Sequence, residues 1–251
     1  MIIFQYWDAG DPPPDVAACI KSVRELNSEL DHQLFDRDHA AAFIGERFGR
    51  RQRAAFLSLI VPAMQADYFR LCALSAKGGA WVDADLRCAI PLRSLFEKAP
   101  HGYLTMLDNR LQSSFLVQRK RGSHFFLAAI ELATRHIEGR LRGTAYEVTG
   151  PHVLNLIWAV VDPFGAHQDR HLVRDQSVRP TSEARACASL YPEASTAFSC
   201  ITRGHDVLTD HWLPKVMAAY KNGPRDWRNW QGPIYHSGMT YIDVKAEPFS
   251  G

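Results

Sequence analysis

The stretch from residue 63 to residue 85 constrains the fold more than any other part of the chain. From Ala63 the residues Met64, Asp67, Leu71 and Leu74 run in a helical register up to Lys77. Gly78-Gly79 then supplies the exit, because glycine adopts without steric cost the positive backbone angles that end a helix. Ala80-Trp81-Val82 follows at once and reads as a short apolar strand, and it ends in Asp83-Ala84-Asp85. A helix that feeds a buried strand ending in two carboxylates fits an open α/β sheet, whose ligands collect at the carboxyl ends of the strands.

The rest of the chain agrees with this reading. Residues 2–5 are a β-prone run, Asp11-Pro12-Pro13-Pro14-Asp15 breaks it, and Val16, Ile20 and Val23 recur at helical spacing up to Leu26. Residues 32–35 read as a second strand. Ala40, Phe43, Ile44 and Phe48 suggest another amphipathic helix before Gly49. The alternation predicts a mostly parallel, doubly wound sheet. Beyond Pro91, residues 103–107 and 115–118 read as strands and residues 125–137 and 153–161 as helices, the second preceded by Gly150-Pro151. Residues 162–205 read as irregular, with short strand candidates at 172–173 and 197–201. Residues 222–231 read as a loop and 233–236 as a final short strand. With no internal repeat, 251 residues fit one large α/β domain.

Charge and motifs exclude several classes of function. A net charge of +2 leaves no concentrated basic stripe for a nucleic acid. The clusters Arg50, Arg51 and Arg53, Arg119-Lys120-Arg121, and Arg140 with Arg142 read first as solvated loops and second as contacts for a phosphate or an anionic membrane surface. Five cysteines without a Cys-x-x-Cys spacing point to a reducing compartment. The N-terminus lacks a basic n-region and the chain lacks the ~18 apolar residues of a membrane-spanning helix, so the expectation is a cytoplasmic protein, soluble or peripheral on the inner membrane. No His-x-x-x-His, Gly-x-Ser-x-Gly, Gly-x-Gly-x-x-Gly or P-loop pattern occurs, which argues against zinc hydrolases, serine hydrolases, dehydrogenases and P-loop NTPases.

The chemistry-bearing residues sit around the Asp-x-Asp. In a regular strand Asp83 and Asp85 would project to one face, where both could meet a hard divalent cation, Mn²⁺ or Mg²⁺, with positions left open for diphosphate oxygens. The plain alternative is two surface aspartates at a strand end. Asp67 and Arg70 share a helix face through their spacing of three. The carboxylate can orient sugar hydroxyls and the guanidinium fork can bridge hydroxyl and phosphate oxygens; a surface ion pair is the alternative. Trp7, at the end of the first strand, can stack on a nucleotide base or fill a core.

Gln65-Ala66-Asp67-Tyr68-Phe69-Arg70, Gly78-Gly79, Trp81-Val82-Asp83-Ala84-Asp85 and Pro91 together resemble the Asp-x-x-Arg, Gly-Gly, Asp-x-Asp signature of the sugar-binding-region family of DXD glycosyltransferases. That family includes fungal initiating α-mannosyltransferases and bacterial capsular and lipopolysaccharide enzymes. The resemblance extends to the opening strand at residues 2–7, the helix around residues 19–27 and Phe35-Asp36, covers most of residues 1–100, and is weaker from 101 to 251. It implies a GT-A-like α/β/α sandwich with a Rossmann-like nucleotide-binding half over about residues 1–100, followed by an acceptor-shaping half and a C-terminal active-site loop. It also implies a retaining hexosyltransferase of bacterial surface polysaccharide biosynthesis, using a UDP- or GDP-sugar donor and a glycan or lipid-linked acceptor. On the same resemblance Asp67, Arg70, Asp83 and Asp85 are catalytic, Trp7, Gly79 and Ser114 join Asp67, Arg70 and Asp83 around the donor, and His236, followed by Thr240 and Tyr241, is a third metal ligand beside Asp83 and Asp85. Residues 109–124 depart from the pattern: Ser113 or Ser114 stands where relatives carry Asn, and Arg119-Lys120-Arg121-Gly122-Ser123-His124 replaces a Pro-rich turn. Two rival readings are a haloacid-dehalogenase-type phosphatase, disfavoured by Leu86 after the Asp-x-Asp, and a catalytically silent sugar- or nucleotide-binding module, disfavoured by the intact Asp67, Arg70, Asp83 and Asp85.

Overall fold

Alternation along the strands sets the layers of the molecule. The computed structural model describes residues 1–8, 10–98, 101–107, 110–162, 178–194, 198–202, 208–210, 219–223 and 226–237. In chain order its elements are β1 (Ile2–Tyr6), α1 (Pro14–Leu26), β2 (Asp31–Phe35), α2 (Arg37–Phe48), α3 (Arg50–Ser58), α4 (Pro62–Lys77), β3 (Gly79–Val82), β4 (Leu86–Cys88), α5 (Arg93–Lys98), β5 (Gly102–Leu107) and β6 (Arg110–Gln118). Then follow α6 (His124–Glu138), α7 (Ala145–Val148), α8 (Pro151–Val161), α9 (Ser182–Ser189), β7 (Ser199–Thr202), β8 (Leu208–Asp210) and a 3-10 turn at Ala219–Asn222. Successive strand residues face opposite ways. Phe4, Trp81, Leu104 and Leu116 therefore meet α2, α4, α6 and α8 on one side of the sheet, while Ile3, Ala80, Val82, Phe115 and Val117 meet Val23 of α1 with Leu92 and Phe96 on the other. The result is an α/β/α sandwich.

The main sheet has the order β2-β1-β3-β6-β5-β7. β2, β1 and β3 are parallel, β6 runs against both β3 and β5, and β7 is parallel to β5. The sheet is thus mostly parallel as expected, with β6 alone running against the other five strands. Only residues 108 and 109 separate β5 from β6, and so short a connection permits antiparallel pairing alone. A second, two-stranded ribbon pairs β4 with β8.

α4 is the central helix, buried nearly all round between the sheet and α6. Pro62 starts it, where a missing N–H costs nothing, and Gly78 ends it at φ 65° with its N–H donating to Leu74 O at 2.9 Å. A hydrogen bond of 2.7 Å between Tyr68 Oη and Thr134 Oγ1 fixes it to α6.

Two expectations change here. Residues 182–189, expected to be irregular, form α9, capped by the Thr181 hydroxyl accepting from Ala184 N at 3.1 Å. The final strand expected at 233–236 is a single bridge between Tyr235 and Leu59. The strand candidate at 172–173 lies outside the described residues, and the one at 197–201 becomes β7 at Ser199–Thr202. Among the described residues, no helix is long and apolar enough to cross a membrane.

The cluster of Arg50, Arg51 and Arg53 is not a solvated loop but the opening of α3. Arg51 forks into α6, with Nε donating to Glu138 Oε1 and Nη1 to Glu131 Oε2, each at 2.7 Å. Burial would raise the Glu131 carboxyl, but hydrogen bonds from Arg51 and Arg135 outweigh it and hold it below its ordinary 4.5. A depressed carboxylate lends stability that is complete above its unfolded value and drains as pH falls through its folded one. Arg51→Met should therefore cost about 2 kcal/mol at pH 7 and flatten the loss of stability below about pH 4.5, read by urea melts across pH. Superimposable melts for the two proteins would reduce the fork to a surface contact.

Candidate active site

The site forms where β1 and β3 end. A cleft of about 420 Å³ opens there, walled by the end of β1, one face of α4, the turn after β3 and the start of β6. α4 contributes Ala63, Ala66, Asp67 and Arg70 to the wall, a stripe at helical spacing whose small members leave room beside the charged ones. Because β6 runs antiparallel to β3, its first half brings Ser113 and Ser114 to the same end, where Ser114 O accepts from Asp83 N at 2.8 Å.

One network joins the helix to the strand end. Arg70 Nη2 lies 2.9 Å from Asp67 Oδ1 and 3.2 Å from Asp83 Oδ1, and its guanidinium sits 5.0 Å from the centre of the Trp81 ring. Trp81 Nε1 donates to Asp83 Oδ1 at 2.7 Å, and Ser113 Oγ donates to Asp67 Oδ1 at 3.2 Å. Arg70 is buried, and its Nη1 has no hydrogen-bond partner among the described residues. Burial pushes the Asp83 carboxyl up to about 6, against the pull of Arg70 and with the push of Asp85. Burial also raises Asp67.

Asp83 and Asp85 meet in a way strand alternation does not describe. β3 stops at Val82, and the chain turns at once, with Leu86 N donating to Asp83 O at 3.0 Å. The two carboxylates are thus brought together by a tight turn. Asp85 is buried and already held: Tyr220 Oη donates to its Oδ2 at 2.8 Å, and the Lys221 ammonium pairs with the same oxygen. Tyr220 packs edge-on against Trp7, with ring centres 5.4 Å apart, and Trp7 lines the cleft half-buried.

Of the residues singled out by sequence, Trp7, Asp67, Arg70, Asp83, Asp85 and Ser114 all line this cleft. Gly79 does not. Its φ is 112°, and a Cβ there would lie 2.4 Å from Ile2 O, so glycine at this position serves the close approach of β3 to β1. His236 is likewise not brought to the carboxylates. It is exposed, its N–H donates to Ser58 O at 2.9 Å, and its ring faces Arg37 Nη2 at 3.4 Å, because the Tyr235–Leu59 bridge ties this segment to the end of α3. Thr240 and Tyr241 lie outside the described residues. Among the described residues no group of three or more His, Cys, Asp or Glu could hold a metal. Tyr220 and Lys221 were missed: they reach Asp85 across 135 or more positions of sequence, and no local spacing announces such a contact.

Fold and site define an α/β protein with an acidic cleft at its strand ends, lined by a pair of aspartates. Residues 1–133, more than half of the chain and including Trp7, Asp67, Arg70, Asp83 and Asp85, match the capsular polysaccharide synthesis protein family, and the chain belongs to that family. Among solved structures it is similar to one titled PaToxG glycosyltransferase, with 12% identity, a TM-score of 0.48 and coverage of 78% of this chain and 85% of that one. No curated protein matches the chain.

Proposed function

We propose that the protein is a metal-dependent, retaining glycosyltransferase of surface polysaccharide biosynthesis, moving a hexose from a UDP- or GDP-sugar to a glycan or lipid-linked hydroxyl acceptor. The charge of the cleft carries this reading. Of the charged side chains that line it among the described residues, six are aspartates, at 8, 11, 67, 83, 85 and 226, and two are basic, Arg70 and Lys221. Arg228 takes up Asp226 with two hydrogen bonds of 2.7 Å, which still leaves five acids against two bases. Such a cleft repels a bare diphosphate and accepts one that arrives with a cation.

Asp83 and Asp85 fit Mn²⁺ or Mg²⁺. A hard cation of this size commonly takes one or two carboxylates and completes its shell with water and substrate phosphates, so a third protein ligand is not required. When bound, the ion supplies Lewis-acid stabilisation to the departing nucleoside diphosphate. The chain's own groups do the rest. Asp67 accepts from sugar hydroxyls, Arg70 offers its buried Nη1 to a donor oxygen, the Ser114 hydroxyl contacts the donor, and Trp7 gives the base a π-face to stack on. Retention follows from the family resemblance: the acceptor hydroxyl attacks on the face that the diphosphate leaves, and the leaving phosphate takes its proton.

The decisive experiment is a panel of UDP-, GDP- and dTDP-sugars, scored for hydrolysis and thermal shift with and without Mn²⁺. One donor should respond in a Mn²⁺-dependent way, and silence across the panel would overturn the reading. Arg70→Lys gives a second check. It keeps the charge but loses the planar fork, in which Nη2 holds Asp67 and Asp83 while Nη1 is left to offer to the donor, so kcat/KM should fall about a hundredfold. Unchanged kinetics would make Arg70 a purely structural residue.

A further inference from the structure

Asp85 carries a cation of the protein's own. Lys221 is buried, its side chain 1% exposed, and its ammonium pairs with Asp85 Oδ2. The same oxygen accepts from Tyr220 Oη at 2.8 Å, and the Lys221 ammonium lies 5.9 Å from the centre of the Tyr220 ring. Both residues belong to the 3-10 turn Ala219–Asn222. Burying a lysine costs several kcal/mol unless a counter-charge offsets it, and here that charge is one of the two carboxylates proposed to hold the divalent ion.

We infer that Lys221 is a tethered cation that shields Asp85 while the cleft is free of metal, and that it re-pairs with the donor's diphosphate when a divalent ion takes the two aspartates. The inference rests on the metal-dependent reading above. An ammonium and a divalent cation repel when crowded onto one carboxylate oxygen in a poorly solvated site, so the ion binds only as Lys221 leaves. The lysine stem has the freedom to deliver its charge to an oxygen nearby, and an anionic diphosphate is the partner that a displaced ammonium seeks. The free protein therefore holds metal weakly, and nucleotide and metal bind with positive coupling, each favouring the arrangement that the other needs.

Two measurements test this. First, Mn²⁺ binding is titrated by electron paramagnetic resonance without nucleotide and then with UDP or GDP. Lys221→Met should bind Mn²⁺ roughly tenfold more tightly than wild type without nucleotide, and should lose most of the gain in affinity that nucleotide gives wild type. Second, wild-type protein is labelled with an amine-acylating reagent and Lys221 is followed by mass spectrometry, which needs no variant to fold. Labelling should rise several-fold with Mn²⁺ alone and fall again when UDP or GDP is added with it. Unchanged or weaker Mn²⁺ binding in a folded Lys221→Met protein, or Lys221 labelling indifferent to Mn²⁺, would overturn the inference while leaving the transferase reading intact. Wild-type protein that binds neither Mn²⁺ nor nucleotide would overturn both.

Discussion

Asp83→Asn should lower sugar transfer at saturating donor by about a thousandfold or more while leaving the protein folded. The substitution keeps volume and retains one oxygen to accept from Trp81 Nε1 and Arg70 Nη2, the two groups now bonded to Oδ1. What it removes is the negative charge beside Asp85. The side chain is 27% exposed, so no core volume is lost and the thermal melt should move little. Asp85→Asn should reduce transfer as severely but also weaken the buried pair with Lys221, so a lower melting temperature is expected there and not at Asp83. Turnover comparable to wild type in a folded Asp83→Asn protein would remove this residue from the chemistry.

A large effect on stability should come from a single methyl group. Gly79→Ala puts a Cβ 2.4 Å from Ile2 O at a backbone φ of 112°, inside the pairing of β3 with β1. Neither strand can retreat, since β1 is also paired with β2 and β3 with β6. Strain and clash together should cost about 3 kcal/mol or more. Gly49→Ala separates the two contributions. Its φ is 87°, but nothing lies within 4 Å of the added atom, so backbone strain alone should cost about 1 kcal/mol. Denaturant melts that rank the two substitutions equally would show that the approach of Ile2 O is not what selects glycine at position 79.

The contrast between these positions shows what the sequence carries. α4, its two-glycine exit and β3 were legible because the information is local: a helical register, a backbone angle that glycine tolerates, and an apolar tripeptide. Asp67 and Arg70 were legible for the same reason, three positions apart on one helix. Asp83 and Asp85 line one cleft although a turn, not a strand, carries them, since a tight turn and an alternating strand can both gather two carboxylates one residue apart. The failures are long-range. Arg51 looked like a solvated charge because Glu131 and Glu138 lie 80 and 87 positions away. The one antiparallel strand of the mostly parallel sheet, β6, has no local signature either, because it joins β3 through pairings that helical and strand periodicity cannot encode. His236 was drawn to the site by resemblance and is held instead at the end of α3.

The partners of the aspartates also bear on how such a protein can be recombined. Asp67 takes its serine from β6, while Asp85 takes its tyrosine and its ammonium from the turn at Ala219–Asn222. A chimera that joined residues 1–100 of this chain to the remainder of a distant relative would inherit Asp67, Asp83 and Asp85 and none of these three neighbours. Exchange of whole halves therefore separates charges from the groups that tune them, and a working graft has to carry substitutions on both sides of the junction together.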